Sequence, residues 1–266
     1  MVPKAAILLA AAFSAISAAA ATIDRRIVGG EVAQDGEFTF IVNIYDEEGL
    51  QHCGGSLLDS KTVLTAGHCV VHSAFVKAGT LNVQMGGVDA KVASYKFHQK
   101  YIPSPIYPFN DIGIIKLATP IVNSSTISYA VLPESNSVPP VDSTAVAVGC
   151  KITIPILSPQ YCVDHDPEGR SVHSITGQDT VCAGESGKTL CYGDSGGPLI
   201  DQQTGTLIGV ASKVLQDAKE NYCGESTVFT RVSSFIPFIT ENLEPAPLTD
   251  AEIDDFFNNN WAQKDG

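Results

Sequence analysis

The chain has 266 residues, of which 44% are hydrophobic and 17% charged. That composition excludes a mostly disordered polypeptide and supplies apolar mass for one or two domains. Sixteen basic against 29 acidic residues leave a formal net charge of −13, and without a basic stripe this argues against a nucleic-acid binder, which needs clustered Lys and Arg against phosphates.

The chain begins Met1-Val-Pro-Lys4, followed by an uncharged, alanine-rich run to Ala21. One cation, a short apolar core and small residues at its end predict a secretory signal peptide over 1–21, cut around Ala18 to Ala21. The run is too short and too alanine-rich for a membrane span, which needs about 20 strongly apolar residues. The expectation is therefore a secreted, extracellular protein with no membrane association once the signal is removed. A polar piece, Thr22-Ile-Asp-Arg-Arg26, precedes Ile27-Val-Gly-Gly30. Strand-type runs then recur between turn residues: Phe38 to Tyr45, Ser56 to Leu58, Thr62 to Thr65, Ile112 to Leu117, Ala145 to Val148, Leu199 to Ile200, Leu207 to Ser212 and Thr227 to Val232. Short strands at this spacing predict barrels or sandwiches. The best helical stretch is Ser233 to Asn242. Leu132 to Pro140 reads as a crossing between two halves. Residues 244–266 carry six acids against one Lys, with a short helix expected from Asp250 to Asn258. The tail reads either as a disordered appendage or as a segment whose Phe256, Phe257 and Trp261 dock on the body.

Seven cysteines (Cys53, Cys69, Cys150, Cys162, Cys182, Cys191 and Cys223) in an oxidising compartment read as disulfides with one left over. None has zinc-finger spacing, so no metal is expected.

Three patterns carry chemistry: Leu64-Thr-Ala-Gly-His68-Cys69, Asn110-Asp111-Ile112 and Gly193-Asp194-Ser195-Gly196-Gly197-Pro198. A serine hydroxyl needs an imidazole to take its proton and a carboxylate to orient that imidazole. Glycines around Ser195 suit a tight turn that exposes the hydroxyl and aims backbone N–H groups at a developing oxyanion. Gly193-x-Ser195-x-Gly197 also matches a nucleophile elbow, but that arrangement needs a histidine after the serine, and the last one here is His173. Gly187-Lys188-Thr189 is no phosphate loop, because Cys182 stands where its first glycine belongs.

In the order His68, Asp111, Ser195, and with Ile27-Val-Gly-Gly30 and Cys53-Gly-Gly-Ser56 at matching spacing, the chain resembles the chymotrypsin–trypsin family of serine endopeptidases from residue 27 to about 243. The resemblance implies an all-β fold of two six-stranded antiparallel β-barrels with a C-terminal helix and the active site between the barrels. It divides the chain into a propeptide (22–26), barrels at 27–135 and 136–243, and the acidic tail. His68 is implied as general base and then acid, Asp111 as its orienter, Ser195 as nucleophile, Gly193 and Ser195 as oxyanion-hole donors, and Ser212 as a support for Asp111. It further implies a zymogen cut between Arg26 and Ile27, after which the Ile27 ammonium pairs with Asp194. The implied bridges are Cys53–Cys69, Cys162–Cys182 and Cys191–Cys223, the first closing a loop of about 17 residues worth roughly 3 kcal/mol. Cys150 is left as an unpaired thiol.

Within the resemblance, the pocket positions are Thr189, Leu190, Ser212, Val214 and Thr227. Thr189 stands where family members that cut after Arg or Lys have Asp. A hydroxyl cannot offset the desolvation of a guanidinium, so basic residues should bind poorly. Val214 and Thr227 resemble elastase-type narrowing, which favours small or medium apolar residues before the scissile bond. A wider, chymotrypsin-like pocket for large apolar residues is the alternative. An enzyme that rejects Arg needs a separate protease to cut at Arg26. Protein or peptide substrates, a monomer and no cofactor are expected. Asn123-Ser-Ser125 is the glycosylation sequon. The rival from another class is a protease homologue that only binds a partner.

Overall fold

The computed structural model describes residues 27–28, 30–31, 33–34, 36–80, 86–104, 108–149, 151–166, 178–190, 193–215 and 226–243. The signal segment, Arg26, Cys150, Cys191, Cys223 and the acidic tail lie outside these residues, as do the side chains of Ile27 and Thr189.

Among the described residues, fourteen strands follow one another along the chain. A two-residue strand β1 (Ile27–Val28) is followed by β2 (Ile41–Tyr45), β3 (Gln51–Asp59), β4 (Thr62–Thr65), β5 (Phe75–Ala78), β6 (Val88–Phe97) and β7 (Gly113–Leu117). The last six close antiparallel into a barrel in the order β2-β3-β4-β7-β6-β5. Strands β8 (Thr144–Val148), β9 (Lys151–Leu157), β10 (Thr180–Ala183), β12 (Pro198–Asp201), β13 (Leu207–Leu215) and β14 (Ser226–Arg231) close a second barrel in the order β10-β14-β13-β12-β8-β9. The short β11 (Thr189–Leu190) pairs with β1, Ile27 opposite Leu190 and Val28 opposite Thr189.

Side-chain patterning explains the closure. β9 alternates strictly between half-buried and buried residues, the period-2 signature of a strand with one face on a core. All four residues of β4 are buried, and its hydroxyls are satisfied: Thr62 Oγ1 accepts from Lys116 Nζ at 2.8 Å and Thr65 Oγ1 donates to the Gly54 carbonyl at 2.7 Å. Helix α1 (Pro159–Asp164) starts with proline in its first turn, and the Ser158 side chain accepts the Tyr161 N–H as an N-cap.

Several boundaries differ from the sequence expectation. Phe38, Thr39 and Phe40 lie in turns, so the strand expected from Phe38 begins at Ile41. The expected C-terminal helix divides into a 3-10 turn, Val232–Phe235, and α2 (Ile236–Glu241), with Pro237 in the first turn of α2. Strands β1, β5, β6, β9, β10 and β11 were not anticipated.

The barrels have distinct cores, and the first one recruits the end of the chain. Ile44, Leu57, Leu64, Ile114 and Ile115 form one cluster with Val232, Phe235, Phe238 and Ile239. The second cluster holds Ile152, Ile154, Leu190, Leu199 and Phe229. The connection from β7 to β8 runs over both barrels, Ala130 N donating to Leu57 O of β3 and Val131 O accepting from Leu207 N of β13, each at 2.8 Å. Among the described residues, no helix is long and apolar enough to cross a membrane.

Candidate active site

His68 lies on a 3-10 turn, Gly67–His72, that follows β4 directly. The Cys53–Cys69 disulfide ties this turn to β3. A second disulfide, Cys162–Cys182, joins α1 to β10. Asp111 lies two residues before the start of β7. The chain turns into it at Asn110, whose φ is +49° and whose side chain donates to the Lys100 carbonyl at 2.8 Å; asparagine tolerates this left-handed conformation better than most residues.

The Asp111 carboxylate is 1% exposed. Oδ1 accepts the His68 backbone N–H at 2.9 Å, while Oδ2 accepts from the Ser212 hydroxyl at 2.6 Å and lies 2.7 Å from His68 Nδ1. Its own main-chain carbonyl accepts from Thr230 Oγ1 at 2.8 Å. A buried carboxylate without such donors would pay a large desolvation cost, so this set of bonds is what permits an anion here. With Nδ1 held by the carboxylate, Nε2 is the ring nitrogen left for proton transfer, and the histidine side chain is one-third exposed.

Ser195 arrives from the second barrel, on the turn before β12. Its carbonyl accepts from Gly54 N at 2.8 Å, Gly196 N donates to Ala211 O at 2.8 Å, and Gly197 N donates to Asp194 O at 3.0 Å. Gly196 has φ +76°, and a Cβ there would collide with Thr65 Oγ1 and stand 2.5 Å from the Gly54 carbonyl. No other residue allows the two barrels to approach so closely at this point. Gly193 has φ +92°.

A small pocket beside Ser195 is lined by Leu190, Asp194, Ala211, Ser212, Lys213, Val214 and Thr227. Val214 and Thr227 face each other across the β13–β14 ladder. Leu190 is buried in the second core, and Asp194 is 3% exposed. The segment starting at Ile27 reaches this region through the β1–β11 pair and through Glu31, which exchanges two 2.9 Å backbone hydrogen bonds with Lys151. Asn123 is exposed, next to a turn closed by the Ser124–Ile127 bridge.

The family model described as Trypsin matches residues 27–239. The chain belongs to the trypsin family. Among relatives of this trypsin-family chain, trypsin delta of Drosophila erecta is 33% identical over 236 residues, covering 83% of this chain and 89% of the relative. Trypsin beta of the same organism is 31% identical with the same coverage. The clotting factor G beta subunit of Tachypleus tridentatus is 30% identical over 251 residues, covering 81% and 79%. The trypsin-family chain is a serine-type endopeptidase, a hydrolase of peptide bonds.

Two residues around this site escaped sequence reasoning. Thr230 is 119 positions from Asp111, and no local pattern links them. Tyr101 packs against Gly67, where a Cβ would lie 3.1 Å from its ring; burial, and then the Asp111 charge, raise its phenol above the usual tyrosine range. Cys53, His68 and Cys69 form a compact group of potential metal ligands. The two sulfurs are joined to each other and His68 Nδ1 is engaged by Asp111, so this group offers no ligand set.

Proposed function

We propose that this protein is a secreted serine endopeptidase, made as a zymogen, that cleaves after small or medium apolar residues. His68 Nε2 takes the proton of the Ser195 hydroxyl as its oxygen attacks the carbonyl carbon of the scissile peptide. Asp111 holds the imidazole in the required tautomer and stabilises the imidazolium. The N–H groups of Gly193 and Ser195 receive the oxyanion, an arrangement whose donors are typically worth 10²–10³ in turnover. Collapse breaks the C–N bond, His68 returns the proton to the leaving amine, and an acyl-Ser195 ester remains. Water, deprotonated by His68, then releases the acid and restores the serine.

The observation that carries this reading is the buried Asp111 carboxylate, bonded to His68 from the first barrel and to Ser212 from the second, with Ser212 and Ser195 lining one small pocket. In support of the specificity, Val214 and Thr227 pair on adjacent strands and line the small pocket beside Ser195. Activation is a cut at Arg26–Ile27 by a separate protease, after which Ile27 pairs with Asp194. In support, Asp194 is buried beside Ser195, and the chain following Ile27 is already bonded to Thr189, Leu190 and Lys151. The enzyme acts as a monomer, with Cys191 bridged to Cys223, Cys150 unpaired and Asn123 available for glycosylation. An organophosphonate reagent on the activated protein should label Ser195 rapidly, and a peptide library should return Ala, Val or Leu before the cut. Failure to label would leave only a binding role, whereas cleavage after Arg would overturn the pocket assignment.

A further inference from the structure

The chain downstream of the proposed cut is anchored at two points. Ile27 and Val28 pair with β11, and Glu31 exchanges backbone hydrogen bonds with Lys151, the first residue of β9, at 2.9 Å in each direction. Lys151 is itself fixed by the way β9 begins. Val148 pairs with Lys151 across the β8–β9 hairpin, so that Gly149 and Cys150 alone separate the two strands. A two-residue connection sets the register and leaves the strand ends little freedom.

The Lys151 side chain adds a second layer to this anchor. Its ammonium lies 2.6 Å from Glu37 Oε1 and 3.4 Å from Glu31 Oε1. The other Glu37 oxygen, Oε2, accepts from the Gln34 N–H at 3.0 Å. Directly after Glu37, Phe38, Phe40 and Ile41 pack against Val146, Val148 and Ile200 of the second barrel. One cation thus ties Glu31, close behind the new terminus, to Glu37, whose neighbours are seated on the body of the protein. Hydrogen bonding to Lys151, and then to Gln34, holds the Glu37 carboxyl below its ordinary value, and the bond to Glu37 raises the Lys151 ammonium above its own. Lys77–Asp89 and Lys188–Glu185, by contrast, join cross-strand neighbours and residues of one turn. Lys151 joins remote segments.

We infer, on the activation proposed above, that Lys151 is a positioning residue of the cut enzyme: through Glu31 and Glu37 it clamps the chain behind Ile27, so that the Ile27 ammonium stays with Asp194. Only residues 29 and 30 lie between the Val28 and Glu31 anchors, so loosening one is felt at the other. Without the cation, Glu31 and Glu37 also repel each other across the space it filled. The terminus then withdraws in a larger fraction of molecules, and substrate binds only the fraction that remains competent. Glu31 is 73% exposed, so solvent screening limits the shift in this equilibrium to about two- to fivefold.

The test uses protein cut at Arg26–Ile27, the new terminus verified by intact mass. Cyanate carbamylates a free α-amine far faster than one buried in an ion pair, and peptide mass spectrometry reads the Ile27 rate directly. Lys151→Met should raise that rate about two- to fivefold, with KM rising by no more than the same factor and kcat unchanged. Lys151→Arg should keep the terminus as protected as in the parent enzyme. Glu31→Gln with Glu37→Gln should reproduce the exposure, and combining both with Lys151→Met should add nothing further. An unchanged Ile27 rate in Lys151→Met, beside a faster one in Asp194→Asn, would overturn the clamp and leave the activation reading standing. Full protection of Ile27 in Asp194→Asn as well would overturn both. Exposure that Lys151→Arg shares, or to which the glutamine substitutions add in full, would also overturn the clamp, because the effect would then not come from the paired charge.

Discussion

The first barrel supplies His68 and Asp111, and the second supplies Ser195 and the pocket, and the two contributions are held in different ways. His68 and Asp111 are fixed by directional polar bonds: two from His68, one from Ser212 and one from Thr230. The small pocket beside Ser195 is bordered by Val214 and Thr227, paired on neighbouring strands, whose volumes set its preference in the proposed reading. Directional bonds to a buried anion tolerate almost no replacement. Side-chain volume can change without disturbing them, so specificity can drift while the proton-transfer apparatus stays put.

Breaking the first side should have the largest effect. Asp111→Asn places an amide N–H₂ among donors, favours the wrong imidazole tautomer, and should lower kcat by about 10⁴ with the barrels intact, measured as peptide hydrolysis beside an unchanged circular dichroism spectrum. Asp194→Asn removes the proposed partner of the Ile27 ammonium. An unpaired buried charge costs about 3–5 kcal/mol, so the cut protein should remain folded but lose most of its activity; full turnover after verified cleavage would refute that activation scheme. Opening the second side should leave chemistry intact and change preference. Val214→Gly with Thr227→Gly should raise kcat/KM for Phe relative to Ala by roughly 10–200-fold, with similar acylation by a small ester.

The smallest expected effect lies outside the site. Packing against Phe235 and Phe238 desolvates His98 and, with Lys100 nearby, holds its pKa below the ordinary histidine value of 6.5. Its contribution to stability is then present above pH 6.5 and is lost as pH falls through the lowered value. His98→Phe should therefore show a shallower fall in Tm between pH 7 and pH 5, a difference of a few degrees by calorimetry.

Strands β4, β7, β8 and β14 were legible because apolar and β-branched runs coincide with burial. β6 was not, since eight of its ten residues are exposed and no alternation survives the bulge after Val92. β9 was hidden by Pro155, which ordinarily argues against a strand inside a sheet. His68, Asp111 and Ser195 were conspicuous through their flanking glycines, cysteine and isoleucine. Ser212 was assigned through the family resemblance, and Thr230 through nothing at all. Bonds that cross the seam between barrels leave no periodic trace, because their partners are separated by a hundred residues or more.

The apolar cluster of the first barrel is completed by Val232, Phe235, Phe238 and Ile239. During synthesis, then, the amino-terminal half leaves the ribosome with a greasy seat that only the final turns can fill. That half expressed alone should be prone to aggregation, as expected of an incomplete core. Newly made chains should need chaperone cover until translation has passed Ile239, so that a truncation before the last helix is lost to quality control.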